Sequence, residues 1–139
     1  MIHILDTGPL VAAFRSPADR DPYTGWATKL IRALPYPFFI CDAVLTEAAH
    51  FLRSPAKLLE AVERGLLVSR FDTQAAAPRL AELIEKYADQ PMDFADACLV
   101  YMSEQTKQCK IVTIDCADFL VYRRHGRERI PLLLPGEGV

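Results

Sequence analysis

Short apolar runs alternate with longer amphipathic segments along the chain. Five apolar runs predict buried strands, at residues 2–5, 38–41, 66–71, 110–114 and 130–134. Six segments with apolar side chains at helical spacing predict helices, at residues 10–14, 26–34, 43–52, 54–65, 74–87 and 92–107. Strands that alternate with helices are typical of a parallel sheet covered on both faces. The pattern therefore predicts an α/β fold with a mostly parallel central sheet of four to five strands.

The size and charge of the chain limit the functions that it can have. The chain has 139 residues, 51% of them hydrophobic, and a chain of this size buries roughly two-thirds of its unfolded surface. We therefore expect a single domain over residues 1–139. The formal net charge is -2 and the pI is near 5.9, which excludes a global cationic field for gripping nucleic acid. Any polyanionic substrate must be held locally.

The cysteines and the apolar runs bear on location. Cys41, Cys98, Cys109 and Cys116 form no Cys-x-x-Cys pair, and we interpret them as reduced thiols. No apolar run reaches the ~20 residues that span a bilayer, and residues 1–6 lack the basic start of a signal peptide. We therefore expect a cytoplasmic protein without a membrane anchor.

Four acidic residues lie where the predicted elements would bring them together. Asp6 follows the first strand directly and Asp115 follows the fourth, so both belong to the same edge of a parallel sheet. If these strands are neighbours, the two carboxylates converge. Glu47 lies in the helix after the second strand. Asp96 lies in the helix that leads to the fourth strand and shares a helix face with Asp93.

Such a cluster of carboxylates needs a cation. Bringing several carboxylates together raises their pKa values and costs several kcal/mol in a partly buried site. A divalent cation removes that penalty. Oxygen-only ligands suit Mg²⁺, or alternatively Mn²⁺, which bind few protein carboxylates and keep several waters alongside a substrate phosphate. The predicted site is therefore a Mg²⁺ or Mn²⁺ site that acts on phosphate groups.

Four short motifs carry a resemblance to a known family. They are Ile-Leu-Asp-Thr-Gly-Pro-Leu at residues 4–10, Val-Leu-Thr-Glu at 44–47, Phe-Ala-Asp-Ala at 94–97 and Thr-Ile-Asp-x-x-Asp-Phe at 113–119. Together and in this order, they resemble the PIN domain, and most closely the small ribonuclease toxins of the VapC type. The resemblance covers nearly the whole chain and implies a three-layer α/β/α domain.

The resemblance also implies an activity and roles for the site residues. It implies a metal-dependent endoribonuclease that hydrolyses RNA phosphodiester bonds. Asp6 and Asp96 would bind the metal directly, and Glu47 and Asp115 would complete the acidic cluster, with Asp115 a further candidate metal ligand. The hydroxyls of Thr7 and Thr113 would orient carboxylates or phosphate.

The resemblance to toxins implies partners as well. A VapB-like antitoxin would pack an amphipathic segment into an apolar groove and block the acidic site. The predicted docking surface comprises the helices near residues 26–34 and 47–59. The same resemblance implies a homodimer.

Each acidic residue also has a structural interpretation. Asp6 suits a turn cap, and Asp96 suits the first turn of a helix. Asp93 is better explained as a helix cap than as a ligand, and Asp118 as a turn residue. Glu47 would be exposed to solvent if it had no role. These alternatives stay open at the level of sequence.

The basic stretch at residues 123–129 also has two interpretations. It is typical of a solvated loop, but it follows Asp115 closely enough for Arg123 and Arg124 to contact phosphates near the site. A rival function for the whole chain is a PIN-like binding module that is catalytically silent or active only in a complex. The presence of all four acidic residues argues against that alternative, because an anionic cluster without metal has no stability benefit.

Overall fold

A computed structural model describes residues 1–138 and has a parallel sheet at the centre of the fold. The strands are β1 (Ile2–Leu5), β2 (Phe38–Ile40), β3 (Leu67–Ser69), β4 (Cys109–Val112), β5 (Arg123–Arg124), β6 (Glu128–Arg129) and β7 (Leu132–Leu133). The main sheet has the order β3-β2-β1-β4-β7, and every pairing in it is parallel. The prediction of a mostly parallel sheet of up to five strands is confirmed.

Helices flank this sheet on both faces. They are α1 (Thr7–Phe14), α2 (Thr24–Ala33), α3 (Asp42–Phe51), α4 (Pro55–Glu63), α5 (Thr73–Lys86), α6 (Phe94–Gln105) and α7 (Cys116–Phe119), with one turn of 3-10 helix at Pro17–Asp19. The arrangement is the predicted three-layer α/β/α fold. Among residues 1–138, no helix is both long and apolar enough to cross a membrane.

The centre of the sheet positions the acidic residues. β1 lies between β2 and β4, with Ile4 opposite Phe39 on one side and Leu5 opposite Val112 on the other. Ile4, Leu5 and Val112 are fully or almost fully buried, because both faces of these strands are covered. β1 and β4 end side by side, so the residues that follow them emerge at the same edge. The first and fourth strands are therefore neighbours, which is the condition under which Asp6 and Asp115 converge.

The basic stretch folds differently from the loop expected for it. β5 and β6 pair antiparallel as a hairpin, with His125 and Gly126 in the turn at φ 52° and 82°. The Arg124 side chain is buried against the end of α6. Its guanidinium donates to the Ser103 carbonyl at 3.0 Å and pairs with Glu128 at 3.1 Å. The hairpin is therefore tied to the body of the domain.

Several element boundaries also differ from the predicted ones. α1 begins at Thr7 rather than at residue 10, because Asp6 caps it directly after β1. The last strand of the sheet is only Leu132–Leu133, and α7 was not predicted. An isolated four-residue helix has too few positions to show helical periodicity in the sequence.

Candidate active site

Asp6 joins the end of β1 to the start of α1. Its backbone N–H donates to the Val112 carbonyl of β4 at 3.0 Å. Its Oδ1 accepts the Thr7 N–H at 2.8 Å as the cap of α1, and its Oδ2 accepts the Thr113 hydroxyl at 2.7 Å. The cap and the acidic cluster are therefore not alternatives, because one carboxylate takes part in both.

The segment after β4 brings Asp115 to the same place. The Thr113 hydroxyl, which donates to Asp6, accepts the Asp115 N–H at 2.9 Å. Asp115 in turn caps α7, with its Oδ1 accepting the Asp118 N–H at 3.2 Å. A single buried hydroxyl therefore links the ends of the two central strands.

Glu47 reaches the site from α3. Its Oε1 accepts the Thr7 hydroxyl at 2.6 Å, across 40 residues of sequence. Glu47 is half-buried, so the interpretation of a freely exposed side chain does not hold. The bond fixes Glu47 next to the first residue of α1.

Asp96 enters the site from the first turn of α6. Asp93 caps this helix by accepting the Asp96 N–H at 2.8 Å, as expected for a cap. The Asp96 Oδ2 accepts the Tyr122 hydroxyl at 2.9 Å. Tyr122 is fully buried and stacks edge-on against Phe119 and Tyr87, so its hydroxyl has a fixed position. Asp96 is thus oriented by a rigid donor.

These side chains line one cleft of about 400 Å³. Its acidic lining consists of Asp6, Asp21, Glu47, Asp93, Asp96 and Asp115. Thr7 and Gly8 line it too, and Val11, Phe51 and Ile114 supply apolar wall. Asp6, Glu47, Asp96 and Asp115, predicted from widely separated segments, are brought to one place.

The cleft changes the acidity of two of these groups. Burial raises the pKa of Asp6 from 3.8 to about 6; the charges of Asp115 and Glu47 add to the rise and the hydrogen bonds from Thr113 and Thr7 oppose it. Burial likewise raises the pKa of Asp96 to about 7, with the charge of Asp93 adding and the Tyr122 hydroxyl opposing. Both carboxylates would lose this penalty beside a cation.

The donor set fits a small divalent cation. Within residues 1–138, no three His, Cys, Asp or Glu side chains stand close enough to enclose an ion by themselves. Mg²⁺ does not need such a cage, because it is usually bound through one or two carboxylates and keeps several waters. The lining offers only oxygen donors near Asp6 and Asp96, which is the ligand chemistry that Mg²⁺ and Mn²⁺ take.

Four predicted residues lie outside the lining of the cleft, and one of them, Thr113, is buried behind it with its hydroxyl bonded to Asp6. Arg124 is buried and hydrogen-bonded within the hairpin and α6, so its assignment as a phosphate contact is wrong. The Arg123 guanidinium donates to the carbonyls of residues 120–122 at the end of α7, and is likewise used internally. Asp118 lies in α7 beside Asp115, and burial raises its pKa, with Asp115 adding to the rise.

Three polar residues of the site were not predicted, namely Tyr122, Arg15 and Asp21. Tyr122 holds Asp96 across 26 residues, and no local pattern marks that pairing. Arg15 lines the cleft immediately after α1. The signal in the sequence was the predicted helix ending at residue 14, because the residue that follows its end borders the cleft.

A second cavity of about 410 Å³ has a different character. It lies against one face of β1 and β2 and the end of α6, and its walls include Ile2, Ile4, Phe39, Phe71 and Tyr101. It has about the same volume as the acidic cleft, so size does not distinguish the two. Their chemistry does distinguish them, because the acidic cleft groups several carboxylates and the pKa values of two of these, Asp6 and Asp96, are raised.

Comparison with known proteins shows the family to which the chain belongs. A search of curated proteins finds no match to this chain. The family model described as the PIN domain matches residues 3–122, which include most of β1, the four acidic residues and Tyr122. PIN domains are generally nucleases. Because the match spans most of the chain and the fold has the corresponding parallel sheet, the chain belongs to the PIN domain family.

Proposed function

We propose that this protein is a metal-dependent endoribonuclease that hydrolyses RNA phosphodiester bonds. The observation that carries the proposal is the pair Asp6 and Asp96, whose pKa values of about 6 and about 7 belong to one cleft at the ends of β1 and β4. A divalent cation bound beside them would offset the cost of burying these two charges.

The proposed roles follow from the contacts of each side chain. Asp6 and Asp96 would bind Mg²⁺ directly, or Mn²⁺ in its place, and Asp115 would contact the ion through one of its waters. When bound, such an ion activates water and stabilises the charge that develops on phosphate oxygens. Tyr122 and Thr113 keep Asp96 and Asp6 oriented through the bonds they donate. Asp93 serves as the cap of α6 and supports the position of Asp96.

Glu47 would orient the attacking water. Its Oε1 is taken by the Thr7 hydroxyl, while its Oε2 has no protein partner within residues 1–138. A carboxylate held on one side and open on the other can accept a hydrogen bond from water in a defined direction. We therefore assign Glu47 and Thr7 to the alignment of water and substrate.

A toxin role with a protein inhibitor is the finer proposal. Phe51 lines the acidic cleft at the end of α3 and is 56% exposed, and Leu59 on α4 is 57% exposed. Both lie in the surface expected to receive the amphipathic segment of a VapB-like antitoxin. An antitoxin docked there would cover the cleft. We also propose a homodimer; sedimentation as a monomer at micromolar concentration would contradict it.

The first experiment is RNA cleavage by the purified protein. A long, partly single-stranded RNA is incubated with Mg²⁺ or Mn²⁺, with EDTA, and with the Asp96→Asn variant. We expect cleavage only with the metal, and a loss of roughly 100-fold or more in Asp96→Asn, because removing a metal ligand or a transition-state contact has effects of this size. Glu63→Gln is the matched control, since Glu63 is exposed on α4 and lies outside the cleft.

The outcomes separate the two functions that the sequence left open. Metal-dependent cleavage that Asp96→Asn loses and Glu63→Gln keeps would support the nuclease. Absence of cleavage with either metal by a folded protein free of inhibitor would favour the binding module. Equal cleavage by wild type and Asp96→Asn would remove Asp96 from the site.

A further inference from the structure

The acidic cleft contains one basic side chain among its lining residues in the described chain. Six carboxylates line the cleft, and Arg15 is the cation beside them. A phosphodiester chain carries one negative charge per nucleotide and is repelled by every carboxylate that is not neutralised. Arg15 therefore marks the part of the cleft wall that attracts the substrate.

Arg15 is held in place on both its backbone and its side chain. Its N–H donates to the Val11 carbonyl at 3.0 Å, which ends α1. Its Nη1 pairs with Asp21 Oδ2 at 3.1 Å, and Asp21 Oδ1 accepts the Tyr23 N–H at 2.9 Å. The Asp21 side chain is only 9% exposed, so the guanidinium is anchored by a carboxylate that is itself fixed.

Most of the hydrogen-bonding capacity of Arg15 is unused. A guanidinium has five N–H donors, and within residues 1–138 the Arg15 side chain makes the single bond to Asp21. The side chain is 30% exposed and borders the cleft. Its remaining donors match the oxygen pair of a phosphate, which arginine binds in a bidentate fashion.

We propose that Arg15 binds an RNA backbone phosphate that flanks the reacting phosphate, an inference that rests on the proposed ribonuclease function. α1 has eight residues and is about 12 Å long, with Asp6 at its start and Arg15 just after its end. Because Arg15 follows the end of α1 that is remote from Asp6, and its guanidinium is bonded to Asp21, a phosphate next to the reacting one is the partner that this placement favours. Arg15 thus sets the direction in which the strand crosses the cleft.

The competing explanation is that the Arg15–Asp21 pair only closes the loop between α1 and α2. The neighbouring Arg53–Asp19 pair is structural in this sense, because it joins that loop to the segment between α3 and α4 and Arg53 does not border the cleft. A loop-closing role changes stability. A phosphate contact changes the salt dependence of RNA binding, which loop closure leaves alone.

The test measures binding of a labelled, single-stranded, mixed-sequence RNA 20-mer by fluorescence anisotropy between 50 and 300 mM KCl. Asp96→Asn in Mg²⁺ is the parent, so that cleavage does not deplete the probe. Arg15→Gln, Arg15→Lys and Arg64→Gln are added to it in turn. Arg64 is the matched control, because it is also paired with one carboxylate. It lies at the end of α4, just before β3, and does not border the cleft.

We expect Arg15→Gln to weaken binding about tenfold at 100 mM KCl, and to reduce the salt slope by about 0.7, the value for one phosphate contact on a single strand. Arg15→Lys keeps the positive charge but loses the pair of N–H donors that binds phosphate in a bidentate fashion, so the affinity of this variant for RNA should be intermediate. Arg64→Gln should match the parent. In the cleaving enzyme, Arg15→Gln should raise KM about tenfold and change kcat less than about threefold, because a flanking contact contributes to binding rather than to chemistry.

Two results would overturn the inference, and they differ from failure of the nuclease proposal. If wild type cleaves RNA while Arg15→Gln and Arg64→Gln give the same affinity and slope, Arg15 only closes its loop. If Arg15→Gln lowers kcat as strongly as Asp96→Asn at unchanged KM, it contacts the reacting phosphate instead. If wild type neither binds nor cleaves RNA, the ribonuclease proposal and this inference fall together. A circular dichroism melt of Arg15→Lys guards against a folding defect.

Discussion

Thr113 is the residue on which the geometry of two carboxylates depends. Its hydroxyl donates to Asp6 Oδ2 at 2.7 Å and accepts the Asp115 N–H at 2.9 Å, and the side chain is fully buried. No water reaches it to replace either bond. Residues that orient ligands in this way typically matter ten- to a hundredfold for metal affinity or activity.

We expect Thr113→Val to lower the cleavage rate about tenfold at low Mg²⁺ and to raise the Mg²⁺ concentration needed for half-maximal rate. Valine fills the same volume but leaves Asp6 without its donor, so the pKa of Asp6 rises further. Rates measured across a Mg²⁺ titration check this. The control is Thr46→Val, because Thr46 is exposed and donates only to its own helix. Equal Mg²⁺ dependence in both variants would contradict the role of Thr113.

Residue types could be predicted from the sequence better than residue pairings. Asp6 and Asp115 follow apolar runs, and a charged residue directly after a buried strand stands out from sequence alone. The pairing of Asp96 with Tyr122 joins α6 to a residue beyond α7, which no local pattern marks. Arg124 was predicted to contact phosphate but is buried, because a stretch of basic residues does not indicate which arginine will be buried.

The spacing between α1 and the segment after β4 is set by a glycine. Gly8 is in the first turn of α1, and a Cβ at this position would lie 2.6 Å from Ile114 Cγ1 and 2.7 Å from its Cδ1. These distances are too short for carbon atoms, so any larger residue displaces Ile114 or tilts α1. The close approach holds the segment that carries Asp115 against the first turn of α1, which follows Asp6.

We expect Gly8→Ala to destabilise the fold by about 1–3 kcal/mol, the usual cost of overpacking, and to reduce cleavage at least tenfold by moving Asp115 relative to Asp6. Gly25→Ala is the matched control, because nothing lies within 4 Å of a Cβ at that helical position. It should stabilise the protein by about 0.4–1 kcal/mol through the unfolded state. Urea unfolding and cleavage rates of both variants give the comparison; equal effects would argue against close packing at Gly8.

The β5–β6 hairpin is attached to the domain through Arg124. The guanidinium reaches the Ser103 carbonyl and the Glu128 carboxylate, and so connects the hairpin to the last turn of α6. This element stabilises the domain and lies away from the acidic cleft.

We therefore expect Arg124→Gln to lower the free energy of unfolding by about 2 kcal/mol, because it removes charged hydrogen bonds from a buried position. The cleavage rate of the folded protein should stay near that of wild type. Arg127→Gln, in the exposed turn of the hairpin, should change neither quantity. Thermal melts and cleavage assays decide, and an Arg124→Gln protein that is stable but inactive would restore Arg124 as a phosphate contact.

At the scale of the whole molecule, the cleft opposes stability while the sheet and its helices provide it. The core includes the apolar residues of β1, β2 and β4 and buried side chains from helices α1 to α6. The cleft adds carboxylates that the fold buries at a cost, as the raised pKa values of Asp6 and Asp96 record. The cost of burying charge is therefore paid in the cleft where the protein is proposed to act.

This opposition predicts a pH dependence of stability in EDTA. Between about pH 4 and pH 7, the folded protein retains protons on Asp6 and Asp96 that the unfolded chain, with an ordinary Asp pKa of 3.8, has lost. Unfolding then releases protons, so stability falls as the pH rises through this range. We expect Tm in EDTA to decrease from pH 5 to pH 8, and less steeply in Asp96→Asn.

Added Mg²⁺ should reverse that decrease. An ion that binds the folded carboxylates and not the unfolded chain raises Tm, and it binds best where the carboxylates are ionised. The increase in Tm on adding Mg²⁺ should thus be larger at pH 8 than at pH 5, and should shrink in Asp96→Asn. An increase of the same size at both pH values in both proteins would show that the ion binds elsewhere.

The amino-acid sequence was enough to predict the class of fold and to single out the acidic residues that line the cleft. Apolar periodicity is a local property, and it marked the strands of the parallel sheet and the carboxylates that follow β1 and β4. The tertiary structure alone decided which side chains meet: Thr7 with Glu47, Thr113 with Asp6, Tyr122 with Asp96, and Arg15 with Asp21 beside the cleft. The physical reason is that most of these pairs join residues far apart in sequence, and the pair close in sequence depends on a loop without periodicity, so only the packing of α1, α3 and α6 around β1 and β4 sets them.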